Sequence, residues 1–384
     1  MTTDTRDQVT ADQRPPVGQL RITRVESFIL HVPIHKYVED SFNTADEWGL
    51  PGVILHTDAG LTGLGYTSTL THGDTAIKSV IDELYAPLLI GEDPRLHERL
   101  WQKLFWSKAH WVGRVGITTM AHAAVDIALW DIKAKSANLP LWRFLGGDKD
   151  GRVLSYNTDG GWLNYSEEEL LAHLQSIVDQ GWRAVKMKIG KTNPREDFVR
   201  VRAARKALGD DIDLMVDANQ IWDLTTARTW APRLEEFNVR WLEEPLHPDD
   251  VRSHALLARA TRIPLAVGEH IYSALAFRDY LEAGALGYVQ ADCTRLAGVT
   301  EWLQVAALAS SFNVPVVPHH ADMMRVHQHL STAVHASPML EVIPWLQDIF
   351  EEPLRIEAGW VYPPETPGAS TAIRADKFVE YRVA

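Results

Sequence analysis

Cysteine is nearly absent: Cys293 is the one thiol in 384 residues. A lone thiol closes no intrachain disulfide, forms no Cys-x-x-Cys redox pair and builds no thiolate zinc site, so a reducing, cytoplasmic setting is the expectation. Positive charge is also scarce, with 38 Lys and Arg against 51 Asp and Glu and a formal net charge of −13. That field repels phosphate backbones and anionic lipid, which argues against nucleic-acid and membrane partners. No run approaches the roughly 20 apolar residues that span a bilayer. The polar start, with Pro15 and Pro16, has neither a signal-peptide core nor a lipidation motif, and residues 1–19 read as a mobile tail.

What is present is globular. Hydrophobic residues make 46% and charged residues 23%, enough for sizeable cores in about two to three folding units. From Leu20 to Thr67, apolar runs at Ile22 to Pro33 and Gly52 to His56, then the turn Asp58-Ala59-Gly60, predict two or three antiparallel strands. Gly60, Gly63 and Gly65 are spaced like a phosphate loop but lack the Gly-Lys-Ser/Thr ending, so a hairpin is the reading. Thr75 to Ser136 has helical periodicity, and Pro140 with Gly146-Gly147 punctuates the chain. An α+β unit is thus expected over residues 20–147.

The texture then changes. Short β-rich runs at Val153 to Asn157, Ala184 to Ile189, Ile212 to Asp217, Val239 to Glu243, Leu265 to Glu269, Tyr288 to Asp292, Val314 to His319 and Met339 to Val342 alternate with helix-length segments. Eight such units need crossover connections and parallel pairing, so an α/β fold of TIM-barrel type is predicted over residues 148–350, with a doubly wound sheet as runner-up. Residues 351–384 are expected to be mostly irregular and to pack back on the first unit.

Charged residues close these strands every 22 to 29 residues: Lys188, Asp217, Glu243, Glu269, Asp292, His319 and Glu341. Barrel active sites are built at the C-terminal strand ends. Asp217, Glu243 and Glu269 would converge there, and three like charges need a cation; all-oxygen ligands favour a hard ion, Mg²⁺ over Zn²⁺. In Val185-Lys186-Met187-Lys188-Ile189 the strand period of two puts both ammonium groups on one face. Neighbouring cations, desolvation and a metal would lower Lys188 towards a usable base, while Lys186 could neutralise a substrate carboxylate. Asp292 and His319 could form a dyad in which the carboxylate fixes the imidazole tautomer, with His320 competing for the role. His327 and His329 read as helical surface or packing. Asn219 is expected to reach the ligand. In the loop from His35 to Trp48, His35 and Tyr37, like Asn43 and Trp48, could meet a polyol. Trp101, Trp106 and Trp111 read as packing, and the Arg202, Arg205 run as a solvated helix face.

Together these residues resemble the enolase superfamily, in its mandelate racemase-like subgroup. Ala121-His122-Ala123-Ala124-Val125-Asp126-Ile127-Ala128-Leu129-Trp130-Asp131 through Lys135, then Pro140-Leu141 and Leu145-Gly146-Gly147, is similar to the family's long helix before the barrel. Lys186-Met187-Lys188, Asp217-Ala218-Asn219, Glu243-Glu244-Pro245, Gly268-Glu269, Asp292 and Pro318-His319 follow in family order. The resemblance implies a modified (β/α)7β barrel under an N-terminal α+β capping domain, with Mg²⁺ on Asp217, Glu243 and Glu269. It implies a carboxylate substrate that loses its α-proton to give an enediolate, stabilised by Mg²⁺, Lys186 and a hydrogen bond from Glu341. Lys188 and His319, the latter with Asp292, would flank opposite faces of the α-carbon. Most relatives with this pattern are acid-sugar dehydratases, so elimination of water to a 2-keto-3-deoxy acid is the expectation. Racemisation or epimerisation of a 2-hydroxy acid, or a barrel that only binds, are the alternatives. Cycloisomerases typically carry a lysine where Asp292 and His319 stand, and Val314 to His320 offers none. A homo-oligomer is implied as well.

Overall fold

The computed structural model describes residues 20–147, 151–320 and 325–384; the expected tail at 1–19 lies outside them. Three antiparallel strands, β1 (Ile22–Glu39), β2 (Thr44–Thr57) and β3 (Thr62–Tyr66), open the chain. The first two outrun their apolar cores and continue as an arm, where pairing resumes at Val38 opposite Ala45 after a register shift. Gly63 and Gly65 explain the glycine spacing. A Cβ on either would stand 2.2 Å from the Ala128 carbonyl oxygen or 2.0 Å from that of Ala124, so both let the helix Ile117–Ser136 lie directly on β3.

That helix is buried along most of its length, acids included. Asp131 accepts hydrogen bonds from the Leu64 and Ala369 amides and from Lys135, so it ties the first sheet to the C-terminal segment. Asp126 accepts from the amide and hydroxyl of Thr300, in the first turn of helix Val299–Ser311. Two buried carboxylates therefore fasten the long helix to its surroundings.

Six strands, β4 (Val153–Asn157), β5 (Ala184–Lys188), β6 (Asp213–Asp217), β7 (Val239–Glu243), β8 (Leu265–Val267) and β9 (Tyr288–Val289), pair in parallel in chain order. A seventh, β10 (Met339–Val342), pairs in parallel with β4 and brings the wall round. The expected strand at Val314 to His319 is reduced to one bridge, Val316 to Val289. Pro315 and Pro318 leave that stave without two backbone donors, which limits its ladder. Tyr156, Ala184, Met215, Trp241, Ala266, Val317 and Met339 fill the interior, while Val185, Met187, Leu214, Val216 and Leu242 pack outward with helix residues such as Leu174 and Val201.

The C-terminal segment is more regular than expected. A hairpin of β11 (Arg355–Glu357) and β12 (Trp360–Tyr362) runs antiparallel to β4. The helix Ala375–Tyr381 then returns to the first sheet, with Phe378 on Phe28 at 5.0 Å between centroids. Two other expectations are corrected. Only Trp101 of its group is packed, donating to the Ala297 carbonyl, while Trp106 and Trp111 are exposed. Arg205 is buried and donates to the Phe237, Gly209, Ile212 and Asn238 carbonyls, a bracket between two αβ units.

Candidate active site

Strand parity places the site. On β5, Lys186 and Lys188 share the inward face of Ala184; on β6 and β7, Asp217 follows Met215 and Glu243 follows Trp241 into the interior. Asp217, Glu243 and Glu269 are buried and offer oxygens within 4.8 Å of one another. Burial pushes the Glu243 carboxyl up to about 8 against the pull of Lys186, and pushes Glu269 well above the carboxylate range, with Glu244 and Asp217 adding to it. Three converging, buried oxygen donors fit a hard divalent cation.

Lys186 is the cation already on the floor. Its Nζ lies 2.5 Å from Glu243, 2.7 Å from Glu341 and 3.7 Å from Asp217. Burial opposes its charge, but Glu243 and Glu341 outweigh burial and hold the ammonium well above its usual range. Glu243 also accepts from Trp241 and Gln290. Glu341 accepts from Lys186 with one oxygen and from the His320 amide with the other, so the hydrogen-bond donor role expected of it is not what this arrangement gives; it neutralises Lys186. Lys188 also departs from expectation. Burial lowers it, but Asp217 at 2.6 Å wins and the ammonium is held above its ordinary value.

His319 is the dyad histidine. Its Nδ1 lies 3.1 Å from Asp292 and its Nε2 3.1 Å from Glu269. Burial, with Lys186 and Arg295, drives it well below the histidine range, so it stands as neutral imidazole. Asp292 is fixed in turn by the amide and hydroxyl of Thr294. His320 stacks on His319 at 3.4 Å and meets Trp48 edge-on at 5.3 Å. Four strand-end residues, Asn219, Gln220, Glu244 and His320, adopt left-handed backbone with φ between 37 and 68°.

A cavity of about 700 Å³ opens over this cluster, between the strand ends and the first domain. Lys188, Glu269 and His319 line its floor, and Asn219, Trp48, Trp162 and Trp345 its sides. His35 and Tyr37 do not line it: they fall on the exposed face of the arm, between the inward Ile34 and Val38, whereas Asn43 and Trp48 reach the cavity. Sequence reasoning missed several residues. His327 is fully buried, accepts from the Cys293 amide and sits 3.6 Å from Asp292. Glu244 is buried against His270 at 3.0 Å and Gln220 at 2.7 Å, behind the carboxylate cluster. The adjacency of Glu244 to Glu243 and of His270 to Glu269 was the available signal.

Fold and site together define a class: a barrel enzyme whose strand ends gather three carboxylates, two lysines and a His319–Asp292 pair beneath a capping sheet. The models for the mandelate racemase / muconate lactonizing enzyme N-terminal domain and the enolase C-terminal domain-like fold match residues 24–146 and 169–377. The chain belongs to this family. It is 39% identical over 304 residues to an L-talarate/galactarate dehydratase of Salmonella typhimurium, covering 79% of this chain and 75% of that protein. It is 34% identical to a 3,6-anhydro-alpha-L-galactonate cycloisomerase of Streptomyces coelicolor, covering 90% and 95%. The crystal structure of an L-talarate dehydratase from Polaromonas, complexed with Mg and L-glucarate, superposes with a TM-score of 0.89 at 34% identity, covering 95% of this chain and 98% of that one.

Proposed function

We propose that this protein is an Mg²⁺-dependent acid-sugar dehydratase, converting a sugar-acid carboxylate to its 2-keto-3-deoxy acid and water. The carrying observation is the placing of Lys188 and His319, the latter backed by Asp292, on the floor of one cavity with Glu269 of the Asp217, Glu243 and Glu269 cluster. The named activities and the bound Mg of the similar proteins support the same reading. Mg²⁺ on the three carboxylates would offset most of their charge and polarise the substrate carboxylate.

The chain's own residues supply the rest. Lys186 stands beside the floor as a fixed cation for the growing negative charge. Lys188 and His319 serve the two faces of the α-carbon, and the configuration at that carbon selects which removes its proton; a cation sharing Asp217 would weaken the pull that keeps Lys188 protonated and free it for the base role. The C3–O bond then breaks, and the hydroxyl leaves as water with a proton from the acid on its own face. The enol that remains tautomerises to the ketone, so atoms balance as acid to keto acid plus water. Asp292 holds Nδ1 of His319 and leaves Nε2 facing the cavity floor. Asn219, whose side-chain oxygen is buried and free of protein donors among the described residues, can accept from a substrate hydroxyl.

The test is a library of mono- and diacid sugars incubated with the protein and Mg²⁺, read by 2-keto acid formation and by solvent deuterium entry at C2. Keto acid from a narrow stereochemical set is the expected result. Lys188→Ala should abolish exchange from one C2 configuration and His319→Asn from the other. Exchange without keto acid would instead make the chain a racemase or epimerase, and neither signal from any acid would refute catalysis of this type.

A further inference from the structure

Five buried polar atoms without a protein hydrogen-bond partner among the described residues belong to residues that line the one cavity: Trp48 Nε1, Ser68 Oγ, Asn219 Oδ1, Arg295 Nε and His320 Nδ1. Buried polar groups are normally paired, so such a concentration marks where a ligand completes the hydrogen bonding. Arg295 differs from the others in carrying charge. No carboxylate lies within ion-pair distance of it among the described residues, and its side chain makes a weak contact, Nη1 to Met120 Sδ at 3.7 Å. Arg295 is partly buried, its Nε has no protein acceptor among the described residues, and its planar fork matches a carboxylate.

Topology fixes where this charge stands. Lys188 ends β5 and Arg295 follows β9, four strands further round the parallel wall, which is the opposite side of an eight-stave ring. Met120 belongs to the long helix of the first domain. The Arg295 head is thus at the level of the cap, whereas Lys186 and the carboxylate cluster form the floor. The cavity thus has a place for a divalent cation at one end, at the Asp217, Glu243 and Glu269 cluster, and the Arg295 guanidinium at the other.

Resting on the dehydratase reading, we propose that Arg295, with Ser68 of the same lining, holds the carboxylate remote from the reacting one, and that the substrate class is therefore the dicarboxylic sugar acids rather than the monoacids. A molecule with a carboxylate at each end and hydroxyls between answers these groups: one carboxylate for the cation at the floor, the other for Arg295 and Ser68, and hydroxyls for Trp48, Asn219 and His320.

The experiment titrates the full-length protein with Mg²⁺ present, by calorimetry, against a stereochemical series of six-carbon aldarates, each beside the aldonate of the same configuration. Wild type should bind its best aldarate at least about 10-fold more tightly than the matching aldonate. Arg295→Met should reduce that ratio by about 10- to 100-fold, the loss of a charge-assisted hydrogen bond, and Arg295→Lys should restore part of it. Equal affinity of wild type for both classes, a parallel loss for both in Arg295→Met, or no binding of any aldarate would overturn the proposal. Keto acid assays on the same pairs separate the two readings. Selective binding without keto acid would sink the dehydratase assignment and leave the diacid subsite standing; keto acid with no diacid preference would do the reverse.

Discussion

Asp126 is where the long helix meets the barrel, and its protonation should be visible in stability. It is fully buried, and burial pushes its carboxyl up to about 7, opposed by the Thr300 amide and hydroxyl. In the unfolded chain an aspartate titrates near 3.9. Between those values the folded state binds the extra proton, so stability falls as pH rises from about 4 to 7 and stays low above. A displacement of about 3 pKa units corresponds to roughly 4 kcal/mol, an order-of-magnitude figure. Asp126→Asn keeps the shape and one acceptor oxygen, and its amide can donate to Thr300 Oγ1, which already accepts from Trp130. The variant should therefore match wild type near pH 4.5 and exceed it by up to about 4 kcal/mol at pH 8. Urea unfolding of both proteins at pH 4.5, 6 and 8, compared as the difference between midpoints multiplied by the shared slope, measures this. Parallel curves across the range, or a variant that loses ground as pH rises, would refute the account of Asp126 as a buried acid ionised at a cost.

Three further perturbations follow from packing and charge. Gly65→Ala drives a methyl into the Ala124 carbonyl and should destabilise the capping sheet by about 1–3 kcal/mol, read as an early unfolding transition by hydrogen exchange in β3. Lys186→Met strands Glu243 and Glu341 without their cation; a loss of about 3–5 kcal/mol in thermal stability is expected, and an unchanged melting temperature would contradict the ion-pair account. Mg²⁺ at 100 times its dissociation constant should stabilise the protein by about 2.7 kcal/mol, and Asp217→Asn should abolish most of that rise in a thermal shift assay without substrate.

Much of the centre was legible because a barrel repeats its rule: an apolar run, then a charged residue at the strand end. Asp217, Glu243, Glu269 and Asp292 obey it, and inward parity carried Lys186 and Lys188. The rule weakened where the backbone could not pair. Val314 to His319 is apolar enough for a strand, but Pro315 and Pro318 withhold donors, and only the bridge at Val316 survives. Composition could not say which residues of a long strand arm face a cavity, so His35 and Tyr37 were favoured beside Trp48 although they lie on the outer face. Nor could local pattern assemble Trp48, Trp162 and Trp345 into one wall, since tertiary contact alone joins them. The state of Lys188 depended on Asp217 coming to 2.6 Å, a distance no spacing in sequence encodes.

The left-handed backbone at Asn219, Gln220, Glu244 and His320 carries an evolutionary consequence. Glycine at each would relieve strain of about 1–3 kcal/mol. It would also delete the amide that faces the cavity, the partners of His270 or the ring stacked on His319. Selection for stability alone would favour glycine at these four positions, whereas the proposed chemistry needs their side chains. Thermostabilised descendants of this chain should therefore gain their stability elsewhere, on the outer helices and loops, while the rim of the barrel stays strained.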